Sequence, residues 1–149
     1  MISIICGHKK MKSNFLILSA FLMISCGVNS EKTKTDFLNS IQGTWTVSKI
    51  KNITKENHTN HQKTPFIKFD KEKVSGNNGC NNYFSSINGI DAKSIEFSPF
   101  GETRMMCRDM KISDTFDLYL SKIKTYFIDK KRLTLFNSEE EKLLVFTKP

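Results

Sequence analysis

An α+β fold, mainly β, is what this sequence predicts: a strongly bent, half-barrel-like antiparallel sheet packed against one main helix. Three observations carry that expectation. Short apolar runs recur from residue 44 to residue 147, and the connections between the later ones are too brief for crossover helices, so neighbouring strands must run antiparallel. Only over residues 113–124 does the apolar period lengthen to that of a helix. Finally, 149 residues with 38% hydrophobic and 26% charged side chains suit a single core, and twelve Phe supply it with bulky groups that favour strands.

The first 25 residues stand apart from that core. Lys9, Lys10 and Lys12 precede the apolar run 15–24, the layout of a secretory signal. The run is shorter than the roughly 20 residues a membrane-spanning helix needs. Met23-Ile24-Ser25-Cys26-Gly27 resembles the bacterial lipobox, in which a small residue precedes a cysteine that is acylated, palmitate being a typical chain, and becomes the mature N terminus. Met23 and Ile24 depart from the usual Leu and small residue. Cys26 is the expected lipidation site, with an ordinary cleaved signal or an uncleaved anchor as competing readings. Met11-Lys12 also makes a normal signal start, which would set residues 1–10 and Cys6 aside. Residues 26–36 hold too little apolar surface to fold and read as a flexible tether leading to a domain at 37–149. Gly27, in place of an Asp-type retention signal, leans toward an outer-membrane anchor facing the periplasm.

Leaving out the three lysines of that signal reduces 23 basic residues to 20 against 15 acids, so the net charge falls from +8 to +5. The remaining lysines are scattered and often sit beside acids, without the clustered face or module that nucleic-acid binding requires. Nucleic acid is therefore not an expected partner; a solvated surface facing anionic lipid heads is. Setting Cys6 and Cys26 aside leaves Cys80 and Cys107 as the cysteine pair of the domain. In an exported protein the pair reads as a disulfide. Two reduced buried thiols, or one reactive thiol, are the competing readings.

The elements follow in order. Phe37, Leu38 and Ile41 mark one turn of amphipathic helix that ends at Gly43. Residues 44–50 alternate as a first strand with Trp45 and Val47 on one face, and Trp45 reads as core. Residues 51–64 are polar and read as a long hairpin loop. Its sequons at Asn52 and Asn57 read as coincidence, and His58 and His61 lack the further ligands that complete a metal site. Strands follow at 65–69 and 73–75, joined by a turn at Asp70-Lys71. A tight turn at 76–79 leads into a strand at 80–87. Asn88-Gly89 is the strongest hairpin signal in the chain, and a fifth strand covers 94–97. Ser113-Asp114 suits a helix start, after which Phe116, Leu120, Ile123 and Phe127 share one helical face with Tyr119 beside them. Strands at 125–128, 132–136 and 143–147 close the chain.

Gly43-Thr44-Trp45, Phe69-Asp70, Ser75-Gly76-Asn77-Asn78-Gly79-Cys80-Asn81-Asn82-Tyr83 and Thr103-Arg104-Met105-Met106-Cys107 together resemble the META domain family, the group that includes the heat-shock HslJ-like envelope lipoproteins. The helix from Ser113 and the strands holding Leu133-Thr134-Leu135 and Leu143-Leu144-Val145-Phe146 are similar in order and spacing, so the resemblance spans residues 38–147. Ser85-Ser86 departs from it where the family commonly has a glycine. Carried onto this chain, the family motif is Gly43, Trp45, Gly76, Gly79, Cys80, Asn81, Tyr83, Thr103, Met106 and Cys107. The resemblance implies a non-enzymatic, stress-associated envelope protein without a cofactor.

The residues themselves agree with that implication. They offer no carboxylate pair at catalytic spacing and no nucleophile elbow, and the 76–79 glycines lack the Lys-Ser/Thr of a phosphate loop. The expected role is binding or structural, with loops around Asn77 to Asn82 meeting an envelope protein or a small ligand. The alternatives are an enzyme-inhibitor module, or a thiol enzyme in which Arg104 or Arg108 activates Cys80 or Cys107 and His58 or His61 serves as base.

Overall fold

In the computed structural model, which describes residues 33–53 and 63–149, two short helices and nine strands alternate along the chain. Residues 1–32 and 54–62, and with them the expected signal, Cys26, most of the tether, Asn57, His58 and His61, lie outside the described residues. The elements run α1 (Lys34–Ile41), β1 (Gly43–Ile50), β2 (Phe66–Asp70), β3 (Lys73–Asn77), β4 (Asn82–Ile90), β5 (Ile95–Phe97) and β6 (Gly101–Glu102). They continue through α2 (Lys111–Leu120), β7 (Thr125–Asp129), β8 (Arg132–Phe136) and β9 (Lys142–Thr147). All pairings are antiparallel, in the order β5-β4-β3-β2-β1-β9-β8-β7, with β6 against β4.

The sheet curls further than a half-barrel. Register shifts in the β1–β9, β4–β5 and β8–β9 pairings mark bulges, each of which sharpens the local bend. The curl brings the two ends of the strand order together. Ser94 bridges Thr125, the Ile95 N–H donates to the Lys124 carbonyl at 3.0 Å, and the Tyr126 N–H donates to the Lys93 carbonyl at 2.8 Å. The result is a nearly closed barrel whose buried positions include Trp45, expected in the core, together with Ile67, Phe69, Val74, Ile87, Leu135 and Phe146.

The helices pack on this barrel. Phe116 of α2 is fully buried, with its ring 5.7 Å from that of Tyr83 on β4 and 6.2 Å from that of Phe146 on β9. It therefore reaches strands from two separate parts of the sheet. Ile112 and Leu120 bury on the same stripe. At the other helix, the Trp45 indole N–H donates to the Ile41 carbonyl at 2.7 Å, satisfying a free carbonyl in the last turn of α1. The lone tryptophan is core, as its alternation indicates.

Several expectations shift. The first helix has two turns, because the Asp36 carboxylate accepts the Thr33 backbone N–H at 2.8 Å and holds the first turn in place. The second starts at Lys111, two residues before the expected Ser113, since Asp109 takes the Lys111 N–H at 2.9 Å. Ser113 lies inside the helix and returns its hydroxyl to the Met110 carbonyl. The helix also stops at Leu120, so Phe127 belongs to β7, where it points outward and is 61% exposed. Its helical spacing from Ile123 is a coincidence of numbering.

Asn88-Gly89 does not turn. It sits within β4 at the β4–β5 register shift, and the chain reverses at Asp91, whose carboxylate accepts both the Lys93 and Ser94 N–H groups. Bonds from the Ser94 side chain and from these two amides hold the Asp91 carboxyl down at about 2. Gly76 likewise belongs to β3, and Cys80 to a turn rather than a strand.

Trp45→Phe keeps the aromatic bulk but removes the donor to Ile41. Urea denaturation should show a loss of about 1–3 kcal/mol, the usual cost of depriving a buried polar group of its partner. A variant as stable as the parent would mean that this bond does not hold α1 to the sheet.

Candidate functional site

Asn77 pairs with Asn82 across β3 and β4, leaving residues 78–81 to reverse the chain. Such a short turn strands several backbone amides, and the neighbouring asparagines answer them. Asn78 is fully buried; its side-chain oxygen accepts the N–H of Cys80 at 3.0 Å and of Asn81 at 2.6 Å. Asn77 accepts the Gly79 N–H at 2.9 Å and donates to the Asn82 side chain. Gly79 has φ +104°, a region that side chains with a Cβ avoid. The turn is thus wired internally, which explains its asparagine density.

Two links join it to the segment before α2. Cys80 and Cys107 form a disulfide with Cα atoms 6.0 Å apart, well inside the permitted range. The bridge closes a separation of 27 residues. The chain-entropy relation gives a loop of that size roughly 3–4 kcal/mol. Asn81 adds a second clamp: its side-chain oxygen accepts the Met105 N–H at 2.7 Å and the Thr103 hydroxyl at 3.0 Å, while its amide donates to the Met105 carbonyl. Thr103 also donates its own N–H to the Asn82 carbonyl.

The pairing registers reveal a second grouping that sequence order conceals. Trp45, Ile67, Gly76, Tyr83 and Glu102 stand opposite one another across five consecutive strands, β1, β2, β3, β4 and β6. Gly76 is small because the Tyr83 ring lies over it: a Cβ there would collide with the Phe66 carbonyl and stand 2.5 Å from the Tyr83 hydroxyl. That hydroxyl donates to the Phe66 carbonyl at 2.9 Å. Burial, and secondarily the Asp117 charge, pushes its pKa well up. Gly43 starts β1 at φ +101°, and Lys148 places its ammonium 4.3 Å from the Trp45 ring centre. Of the motif residues, Cys80, Asn81, Tyr83 and Trp45 are buried, whereas Met106 is 95% exposed beside a Met105 that is 57% exposed.

The thiol-enzyme alternative meets this geometry at the sulfurs, both of which are in the bridge. Among the described residues no group of three or more His, Cys, Asp or Glu could hold a metal ion.

Two acids that the sequence reading passed over complete the site. The Asn78 side-chain amide donates to the half-buried Asp117 carboxylate at 2.6 Å, linking the turn to α2. Asp117 and Glu102 line a cavity of about 160 Å³ with Tyr83, Phe100, Leu120 and Ser121. Desolvation raises the Asp117 pKa to about 7; the Asn78 bond opposes this rise, and Glu102 adds to it through charge and a hydrogen bond. A helical wheel carries the signal for Asp117, since it follows the buried Ser113 by four positions and precedes Leu120 by three. Glu102 has no such signal, because its place depends on pairing with Tyr83.

The raised Asp117 pKa fixes the sign of a pH effect. Between about pH 4 and pH 7 the folded carboxyl keeps a proton that the unfolded chain releases, so this group's contribution to stability is lost as pH rises through that window. Asp117→Asn should remove the dependence, and its urea midpoint should gain on the parent's from pH 5 to pH 8. Parallel profiles would show that Asp117 titrates as an ordinary exposed acid.

Comparison with known proteins places the fold. Two solved structures resemble it at 16% identity, enough to establish shared fold alone. One, described as an NMR structure of a protein, has a TM-score of 0.59 and aligns over 74% of this chain and 92% of its own. The other, the NMR structure of a protein from Burkholderia xenovorans, has a TM-score of 0.58 and aligns over 97% of this chain and 99% of its own. No curated protein matches. The family model of the META domain matches residues 38–149, and the chain belongs to the META domain family.

Proposed function

We propose that this chain is a lipid-anchored, non-enzymatic and stress-associated protein of the bacterial envelope, whose domain binds a partner protein through the loop between Thr103 and Cys107. Fold membership alone would not support that reading. What carries it is the exposure of Met105 and Met106 on a loop that the disulfide and the Asn81 clamp hold in one shape. An immobilised loop loses little conformational entropy on binding. Methionines present an adaptable apolar surface to whatever docks there. The bridge suits an oxidising compartment outside the cytoplasm. Cys26, after its apolar run, supplies the anchor, and Gly27 favours the outer membrane and the periplasmic side.

Cys26→Ala should abolish incorporation of labelled palmitate into the protein. In the same cells, a photo-crosslinking amino acid at position 106 should give a discrete adduct band that is absent when the crosslinker replaces Lys49. Undiminished palmitate labelling of the variant would overturn the lipid anchor. Equal crosslinking at both positions would overturn the loop as the binding surface.

A further inference from the structure

The seam between β5 and β7 is incomplete. β5 has three residues, and two backbone bonds cross the seam at Ile95 and Tyr126, while residues 98–100 and the 121–124 connection lie outside any strand. A cleft of about 420 Å³ opens there, with Glu96, Phe97, Phe100, Leu120, Ile123 and Lys124 in its lining. It meets the Asp117 cavity at Phe100, Leu120 and Ser121, which line both.

The groove floor is apolar and aromatic. Phe97 and Phe100, both partly buried, stand 5.4 Å apart between ring centres, and Tyr83 lies 5.9 Å from Phe100. Its charge is opposite in sign to that of the molecule. The whole chain carries +8, yet Glu96 and Glu102, joined by Asp117 once it gives up its proton near 7, line the groove against one ammonium, that of Lys124. An apolar body would fill the cleft between Phe97 and Ile123. A positive head would reach Asp117 and Glu102 past the faces of Phe100 and Tyr83, where aromatic quadrupoles and carboxylates both attract a cation.

We propose that this groove binds small apolar organic cations, molecules with an aromatic or aliphatic body and an ammonium head. The site is separate from the Met105–Met106 loop and does not depend on its role. A cation beside Asp117 also offsets what holds that carboxyl near 7, the loss of solvent and the neighbouring Glu102.

The test uses the full-length chain and three probes with one body: 4-phenylbutylammonium, neutral 4-phenylbutanol and anionic 4-phenylbutyrate. Protein-observed NMR should show the cation shifting resonances of Phe100, Leu120 and Ile123, with an affinity at least about tenfold above either analogue, a difference of one decade in Kd. Asp117→Asn with Glu102→Gln should abolish that preference. Because Asp117 also bonds Asn78, Glu96→Gln with Glu102→Gln provides a second variant that leaves that bond intact and should weaken the cation selectively. Equal affinity for the three probes, preference for the anion, shifts confined to Met105 and Met106, or no cation binding at millimolar concentration would each overturn the proposal.

Discussion

The sheet can curl as far as it does because Phe116 fills the space that the curl encloses. A nearly closed barrel leaves an interior that must be packed at native density, and strands on opposite sides cannot meet across it unaided. Phe116 touches Tyr83 on one side and Phe146 on the other, so α2 is a structural part of the barrel rather than a cover laid upon it. Everything that fixes α2 therefore also fixes the barrel. The disulfide holds the chain four residues before the helix, the Asn78–Asp117 bond holds its middle, and the Lys124 N–H pairs with the Phe136 carbonyl just beyond its end.

The glycine-asparagine motif takes its meaning from that constraint. Asn77, Asn78 and Asn81 are buried because the four-residue reversal between β3 and β4 is itself buried and has amides to satisfy away from water. Asn78 does so while reaching α2, and Asn81 does so while fixing the Met105 backbone. The motif thus acts as a brace, and the chemistry available to a partner lies on the residues it holds in place. Met105 and Met106 are outside it, and the acids Asp117 and Glu102 stand at its inner end.

That division separates two properties that fold likeness at 16% identity does not transfer. The barrel, its plug and its brace belong to the architecture. The sign of the charge along the seam rests on Glu96, Glu102 and Asp117, and the two bare methionines lie on the Thr103–Cys107 stretch that also carries the family resemblance. A basic protein with an acidic aromatic groove presents different faces to an anionic surface and to a cationic ligand.

Much of this was open to reading in the chain. Alternation placed Trp45 inward, the amphipathic stripe placed Phe116 and Leu120, and cysteine number with the export expected from residues 9–26 isolated Cys80 with Cys107. These signals are local or compositional, so neighbouring residues suffice to carry them. Asn88-Gly89 misled because the same two residues serve a bulge as readily as a turn, and the choice fell to the Asp91 side chain. Phe127 misled because helical spacing continues past Leu120 where the backbone does not. Glu102 beside Asp117, and the row from Trp45 to Glu102, could not be read from the chain at all. They arise from strand register, and register is set by how distant segments pack. One residue of slip would turn Tyr83 or Glu102 to the opposite face, and no local pattern specifies against it.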